Sequence, residues 1–359
     1  MLKAEGAVEL NIFGFFYASG TFAFEKASNT VTLSDGTVDV PVETLTIGAT
    51  VSSAFVGVNG PYLVDSNGNG VIEINDTPND AALGLSLSDV EFALALMKKK
   101  PTGPTDTDKR SWTALKASVG SAEFVGVDGI TVKMFDLAVA VNQGGGTKAG
   151  AANTTVVNFA GMPGGGMAIN TGDGTPALLN FAAKTLKAQG GMELDVFGFF
   201  YVRGTFAFEK TTQTVTLSDG TTNVQVESLQ IGATVSNAFV GVNGPYLVDS
   251  NNDGIIDAND APNDEALGLS LGNVEFALAL MKKKPTGPAD TDNRSWTSLK
   301  ASIGSAEFVG VDNLTIAVTN LNAIINQGGG ANAGVANTSV VDFKGMPGGG
   351  IEINTGDGT

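Results

Sequence analysis

The sequence predicts an all-β protein arranged as an elongated rod of tandem units, and three observations carry that expectation. The apolar residues alternate with a period of two rather than 3.6, the pattern of half-buried strands. Gly and Asn are abundant, and Asp-Gly pairs punctuate the apolar runs where tight turns need positive φ. Finally, the second half of the 359-residue chain restates the first at an offset of 184 with no insertion or deletion. ELNIFGFFY at residues 9–17 returns as ELDVFGFFY at 193–201, and FVGVNGPYLVDSN at 55–67 returns unchanged at 239–251. A fixed period without gaps marks one structural unit used twice.

The elements follow in order along one unit. Val8, Leu10, Ile12, Phe16, Phe22 and Phe24 share one parity, and Leu45, Ile47, Ala49 and Val51 share another run. Residues 30–42 read as two strands around the Asp35–Gly36 turn, and Asp128–Gly129 (Asp312–Asn313 in the second unit) marks another. Parity slips between Met134 and Leu137, and again between Val318 and Leu321, as a β-bulge or corner requires. The Gly-rich runs at 144–146 and 161–166 read as turns; neither ends in the Lys-Ser/Thr of a phosphate loop. Phenylalanines 13, 55, 92, 124 and 159 recur at a coarse spacing that sums to the period, so we expect a solenoid-like stack of β-coils. The Asp-Gly turns favour the alternative, an antiparallel meander or sandwich. Residues 1–184 form the first unit and 185–359 the second, with a strand-like junction at 176–184 in place of a linker. The ends lie in phase with the repeat, so two units of a longer array are expected.

Composition narrows the function. Twenty Lys and Arg against 37 Asp and Glu give a net charge of −17, which repels nucleic acid and anionic membrane surfaces. There is no Cys and no His, so disulfides, thiolate sites and His-based acid–base chemistry are excluded. No apolar run reaches the length of a membrane-spanning helix, and no membrane insertion is expected. Glu9, Glu91 and Glu123, with Glu193, Glu275 and Glu307, stand beside phenylalanines in apolar runs. Paired carboxylates would serve glycoside hydrolysis, but an outward acidic row is the simpler reading, and no enzyme is expected.

The strongest local signal is DSNNDGIIDAND at residues 249–260, which fits the D-x-[DN]-x-[DN]-G spacing of a calcium loop. Calcium takes six to eight hard oxygens, and a Gly bend lets alternate residues turn theirs inward. On this pattern Asp249, Asn251, Asp253, the Ile255 carbonyl, Asp257 and Asp260 are ligands. The first copy offers Asp65, Asn67, Asn69, the Val71 carbonyl, Glu73 and Asp76, and should bind more weakly because Asn69 replaces Asp253. Both loops resemble EF-hand and dockerin calcium loops over twelve residues, although flanking prolines forbid the paired helices of a sensor. The basic runs Lys98–Lys100 and Lys282–Lys284, each followed by a Trp (Trp112, Trp296), allow a second reading as a glycan site. Their simpler reading is a solvated loop with a Trp anchoring the next strand.

Taken whole, the in-phase units, the FGFFY…GTFAFEK opening at 13–26 and the DSN loops resemble the giant repetitive calcium-binding, adhesin-like surface proteins of Gram-negative bacteria, haemolysin-type in style. That resemblance implies an extracellular, cell-surface structural extender stiffened by Ca2+, with neighbouring repeats as its partners. Self-association and a glycan- or cell-surface-binding adhesion module are the alternatives.

Overall fold

The computed structural model describes residues 1–69, 72, 76–251, 256, 259–287 and 289–357. The chain is almost wholly β-strand; short 3-10 turns at Phe343–Gly345 and Pro347–Gly349 are the only helical segments among the described residues. It divides into two compact units, Met1–Asp128 with Lys133–Ala188, and Gly129–Val132 with Gln189–Thr359.

Six long strands build the first unit, the last of them from Lys133 onward: β1 (Leu2–Ile12), β2 (Phe16–Val31), β3 (Val40–Val58), β4 (Leu83–Lys99), β5 (Ser111–Val125) and β6 (Ile130–Gly145). They lie in sequence order, and the pairs β1–β2, β2–β3, β3–β4 and β4–β5 are antiparallel. The second unit repeats this with β7 (Thr185–Val196), β8 (Phe200–Val215), β9 (Val224–Val242), β10 (Leu267–Lys283), β11 (Ser295–Val309) and β12 (Ile316–Gly329). The solenoid expectation is thereby corrected to the antiparallel meander. The evenly spaced phenylalanines are not equivalent: Phe13 sits in a turn, Phe55 is buried in a loop-covered cluster, and Phe159 lies outside the long strands. Among the connections from β1 to β6, only β1–β2 and β5–β6 are short local turns, of the kind that joins antiparallel neighbours.

Registers sort the side chains onto two faces. One face, here the covered face, carries Val40, Val42, Thr44 and Gly48 of β3 opposite Met97, Ala95 and Ala93 of β4, with Trp112 and Ala114 of β5 beyond. After β6 the chain folds back over this face. Val157 bridges Leu33, Phe159 packs against Phe181, and the hairpin Met167–Ile169/Ala177–Leu179 completes a cluster with Val31, Val42, Met97 and Trp112. Trp112 is 1% exposed and its indole N–H donates to the Thr155 carbonyl at 3.1 Å. Asn142 is fully buried and its amide donates to the carbonyls of Val157 and Ala183. In the second unit Val215, Leu217, Val226, Met281, Trp296 and Val341 repeat the arrangement.

The junction differs from the expectation of one continuous strand. Ala177–Leu179 belongs to the covering hairpin, and β7 starts only at Thr185. The turn at Asp35–Gly36 is also wider than a two-residue hairpin. Gly36 takes φ 86°, Asp35 accepts from the Thr37 N–H, and strand pairing resumes at Val40. The predicted parity slips are present as positive-φ residues, Asp136 and Asn320. Asp89 and Asn273 do the same on β4 and β10, and the β2–β3 register shifts between Ser19 and Gly20.

The returning segment touches the sheet backbone at points that admit no side chain. A Cβ on Gly48 would meet the Asn170 carbonyl oxygen at 2.1 Å, and Gly232 faces Asn354 in the same way at 2.2 Å. A Cβ on Gly6 would meet nothing within 4 Å. Gly48→Ala is therefore expected to lower unfolding free energy by about 1–3 kcal/mol, as overpacking does. Gly6→Ala should be near neutral, and urea midpoints of the two variants check the contrast.

Candidate calcium loops and the basic loops

Each predicted calcium loop lies between two long strands, β3 and β4 or β9 and β10, and rises from a paired neck. The peptide Gly60–Pro61 is cis, as is Gly244–Pro245. Leu63–Val64 pairs with Thr77–Pro78, closing the loop neck, and Leu247–Val248 pairs with Ala261–Pro262. Asn79 clips the neck: its amide donates to the carbonyls of Asn59 (2.8 Å) and Pro61 (3.1 Å). Asn263 repeats both bonds with Asn243 and Pro245. Tyr62 and Ile72 pack on Tyr17, Phe55, Ala82 and Val125, so the apolar residue at loop position eight ties the loop to its own unit. Ile256 packs likewise on Tyr201 and Phe239.

Within the first loop the chain curls around its leading carboxylate. Gly68 and Asn69 donate backbone N–H groups to Asp65 Oδ1 at 2.7 and 3.2 Å, and Asn69 N–H also reaches Asn67 Oδ1 at 2.9 Å. The closing acid is the buried one. Asp76 is 4% exposed and its Oδ1 accepts from the Ser66 N–H (3.0 Å) and hydroxyl (3.1 Å). Asp260, 8% exposed, holds Ser250 through the same two bonds at 2.9 and 3.3 Å. A carboxylate at that depth needs such donors to remain charged.

The structure thus places Asp65, Asn67, Asn69 and Asp76, and Asp249, Asn251 and Asp260, in two corresponding loops. Val71, Glu73, Asp253, Ile255 and Asp257 lie outside the described residues. Among the described residues no three or more His, Cys, Asp or Glu are grouped to hold a metal. The donor set is carboxylate and amide oxygen, the chemistry of a hard cation. Sequence reasoning passed over Ser66, Ser250, Asn79 and Asn263, which fix the loop without resembling ligands. Their recurrence at the 184-residue offset was the available signal.

The basic loops are internally tied. Lys99 Nζ donates to the Lys100 carbonyl at 2.6 Å and reaches Asp106 at 3.5 Å. Asp108 grips Arg110 through Nε and Nη2, with the closest contact at 2.7 Å, and the Arg110 guanidinium lies 5.4 Å from the Trp112 ring centre. Trp296 is likewise 1% exposed under Arg294. Both rings are anchors beneath the loop, which leaves it without the exposed indole face on which a sugar stacks. The six glutamates are scattered over the polar positions. Glu91 stands opposite Thr50, Glu123 opposite Ser86, and Glu193 is ion-paired to Arg203.

Asp290 organises its loop as an acceptor. Backbone N–H groups of Thr286 and Asp292 lower its pKa most, then the Thr286 hydroxyl, with Lys283 a lesser contribution, bringing it to about 2. Asp106 is held well below the usual carboxylate range by the same bonds from Thr102 and Asp108. A depressed folded pKa means the loop bonds are fully present above the ordinary value of 3.8 and are lost as pH falls through about 2. A carbon-detected NMR titration of Asp290 should give a midpoint near 2. Thr286→Val should raise that midpoint only in part, because the stronger backbone donors remain.

No family model, curated protein or solved structure matches this chain.

Proposed function

We propose that the chain is a non-enzymatic structural protein of the cell surface, built from β units whose inter-strand loops are stapled by Ca2+. The observation that carries this reading is the recurrence of one loop construction in both units. Asp76 with Ser66 and Asp260 with Ser250 make the same pair of bonds at the same place between corresponding strands. A loop that only reversed the chain would need neither a twelve-residue acidic spacing nor a buried carboxylate at its close. The oxygens of Asp65, Asn67, Asn69 and Asp76, and of Asp249, Asn251 and Asp260, supply part of each shell. Glu73, Asp253 and Asp257 and the Val71 and Ile255 carbonyls would supply the rest. Millimolar calcium outside the cell would keep such loops loaded and stiffen each unit after export.

The non-enzymatic reading rests on the lack of His and Cys and on glutamates that are spread over the strands. As a surface extender, the chain would act through its neighbouring repeats and through association of its sheets.

Calcium at about a hundredfold above its dissociation constant should add roughly 2.7 kcal/mol per site. Thermal unfolding followed with calcium and with EGTA should therefore give a higher Tm in calcium. Isothermal titration should resolve a tighter site that Asp249→Ala removes and a weaker one that Asp65→Ala removes. Equal Tm values in calcium and EGTA would sink the proposal.

A further inference from the structure

Within each unit the second face of the strands is uncovered, and its chemistry is uniform. On β1 it presents Leu2, Ala4, Gly6, Val8, Leu10 and Ile12, and on β2 Phe16, Ala18, Gly20, Phe22 and Phe24. β3 adds Leu45, Ile47, Ala49, Val51, Ala54, Val56 and Val58, and β4 adds Leu83, Leu85, Leu87, Val90, Phe92, Leu94 and Leu96. On β12 the same face carries Ile316, Val318, Leu321, Ala323 and Ile325. The cluster here consists of sheet residues alone: Ala49, Val51 and Ala54 with Ala18, Phe22, Leu87, Val90 and Phe92. Val56 is 51% exposed, Val240 52% and Leu321 50%.

Charge is sorted just as sharply. Glu5, Glu9, Glu25, Glu91, Lys116 and Glu123 all alternate onto the covered face. Among the described residues of β2, β3 and β4, the charges on the apolar face stand where the band ends, at Lys26, Glu43 and Lys98; Asp89 sits in the bulge, between the two alternations. At the band's other end the β1–β2 turn holds Phe13 and Phe15 outward, 93% and 58% exposed, and Phe197 and Phe199 repeat this at 58% and 56%.

We propose that this apolar face contacts the hydrocarbon of a lipid bilayer, with the strands crossing it obliquely. The band runs from Leu45 to Val58 on β3 and from Leu83 to Leu96 on β4. Fourteen residues at about 3.3 Å each extend ~45 Å, and a tilt of about 45° reduces this to roughly 30 Å, the hydrocarbon thickness. Strands of soluble sheets are usually about 3–10 residues long, whereas β2, β3 and β4 have 16, 19 and 17. An apolar outside, an inside on which Ser, Thr and Glu flank a covered core, and aromatic residues at one margin of the band are traits of a membrane-crossing sheet. The exposed Phe turns distinguish lipid from a second copy, since a face-to-face sandwich would leave residues beyond the strand ends in water. Net negative charge opposes anionic headgroups but does not touch this band, and the lack of long apolar runs excludes helices only. Lipid cannot solvate an open sheet edge, so the proposal includes lateral pairing of both terminal strands, β1 and β12, with strands in the membrane.

The sequence has no cysteine, so single-Cys variants label at one site. Wild-type protein should float with zwitterionic phosphatidylcholine vesicles and resist carbonate extraction. An environment-sensitive fluorophore at Ile47→Cys or Leu94→Cys should lose most of its emission to brominated acyl chains, while one at Glu91→Cys should not. Wild-type protein that stays in the aqueous fraction would overturn the proposal, as would equal quenching of the Ile47 and Glu91 probes. Cross-linking of Ile47→Cys copies in water would overturn it in favour of a face-to-face dimer. Calcium affinity, read without vesicles, is independent of every one of these outcomes.

Discussion

Everything in each unit depends on the strands staying in phase across a row of irregularities. A one-residue slip sends every later side chain to the opposite face of a sheet. Here the β3–β4 register skips between Val51–Val90 and Ser53–Ser88, and the β4–β5 register skips between Val90–Val119 and Ser88–Ser121. The β2–β3 register shifts beside it, between Ser19 and Gly20. The extra residues fall side by side, so Phe55 and Tyr17 return to the covered face while Val56 and Phe16 stay on the other. If Asp89 took an ordinary place in the alternation instead of bulging, Leu87, Leu85 and Leu83 would face the polar side. The second unit preserves the device with Asn273 and Asn320 in place of Asp89 and Asp136, which separates the requirement for positive φ from any requirement for charge.

Strand identity was legible because alternation is a local property, and even the bulge at Asp136 announced itself as a slip in parity. The topology was not. Period-two patterning says which face a residue joins and nothing about the direction of the neighbouring strand. The recurring phenylalanines therefore pointed to coils. Their real positions, a turn, two faces and a covering segment, share a residue type and no structural role. The covering segment itself was invisible for a related reason. Its apolar residues, Val157, Phe159, Ile169 and Leu179, are scattered among glycines and prolines and follow no period.

The candidate site was legible in outline and opaque in its supports. Spacing of Asp, Asn and Gly identified the loops, since the oxygen donors of a hard cation must alternate around a bend. Ser66 and Asn79 act through backbone carbonyls and N–H groups, and sequence spacing carries no trace of which backbone groups will come within reach. Trp112 and Trp296 show the converse. An aromatic beside a lysine cluster reads as a binding surface, yet each indole is needed below the loop, where its N–H meets a carbonyl 43 residues away.

The contact at Gly48 has a bearing on how the chain is made. Thr21 donates its hydroxyl to the Thr171 carbonyl across 150 residues of sequence, and Gly48 lies against Asn170. Strands β1 to β6 are all synthesised before the segment that shields them. Until residues 146–184 have emerged, each nascent unit presents two naked faces, not one. Local hairpins can zip early, but closure waits for the most distant contacts, which form slowly. The interval between the sixth strand and its cover is thus the period in which a newly made unit is most exposed to wrong partners, including the near-identical sheet that follows it on the same chain.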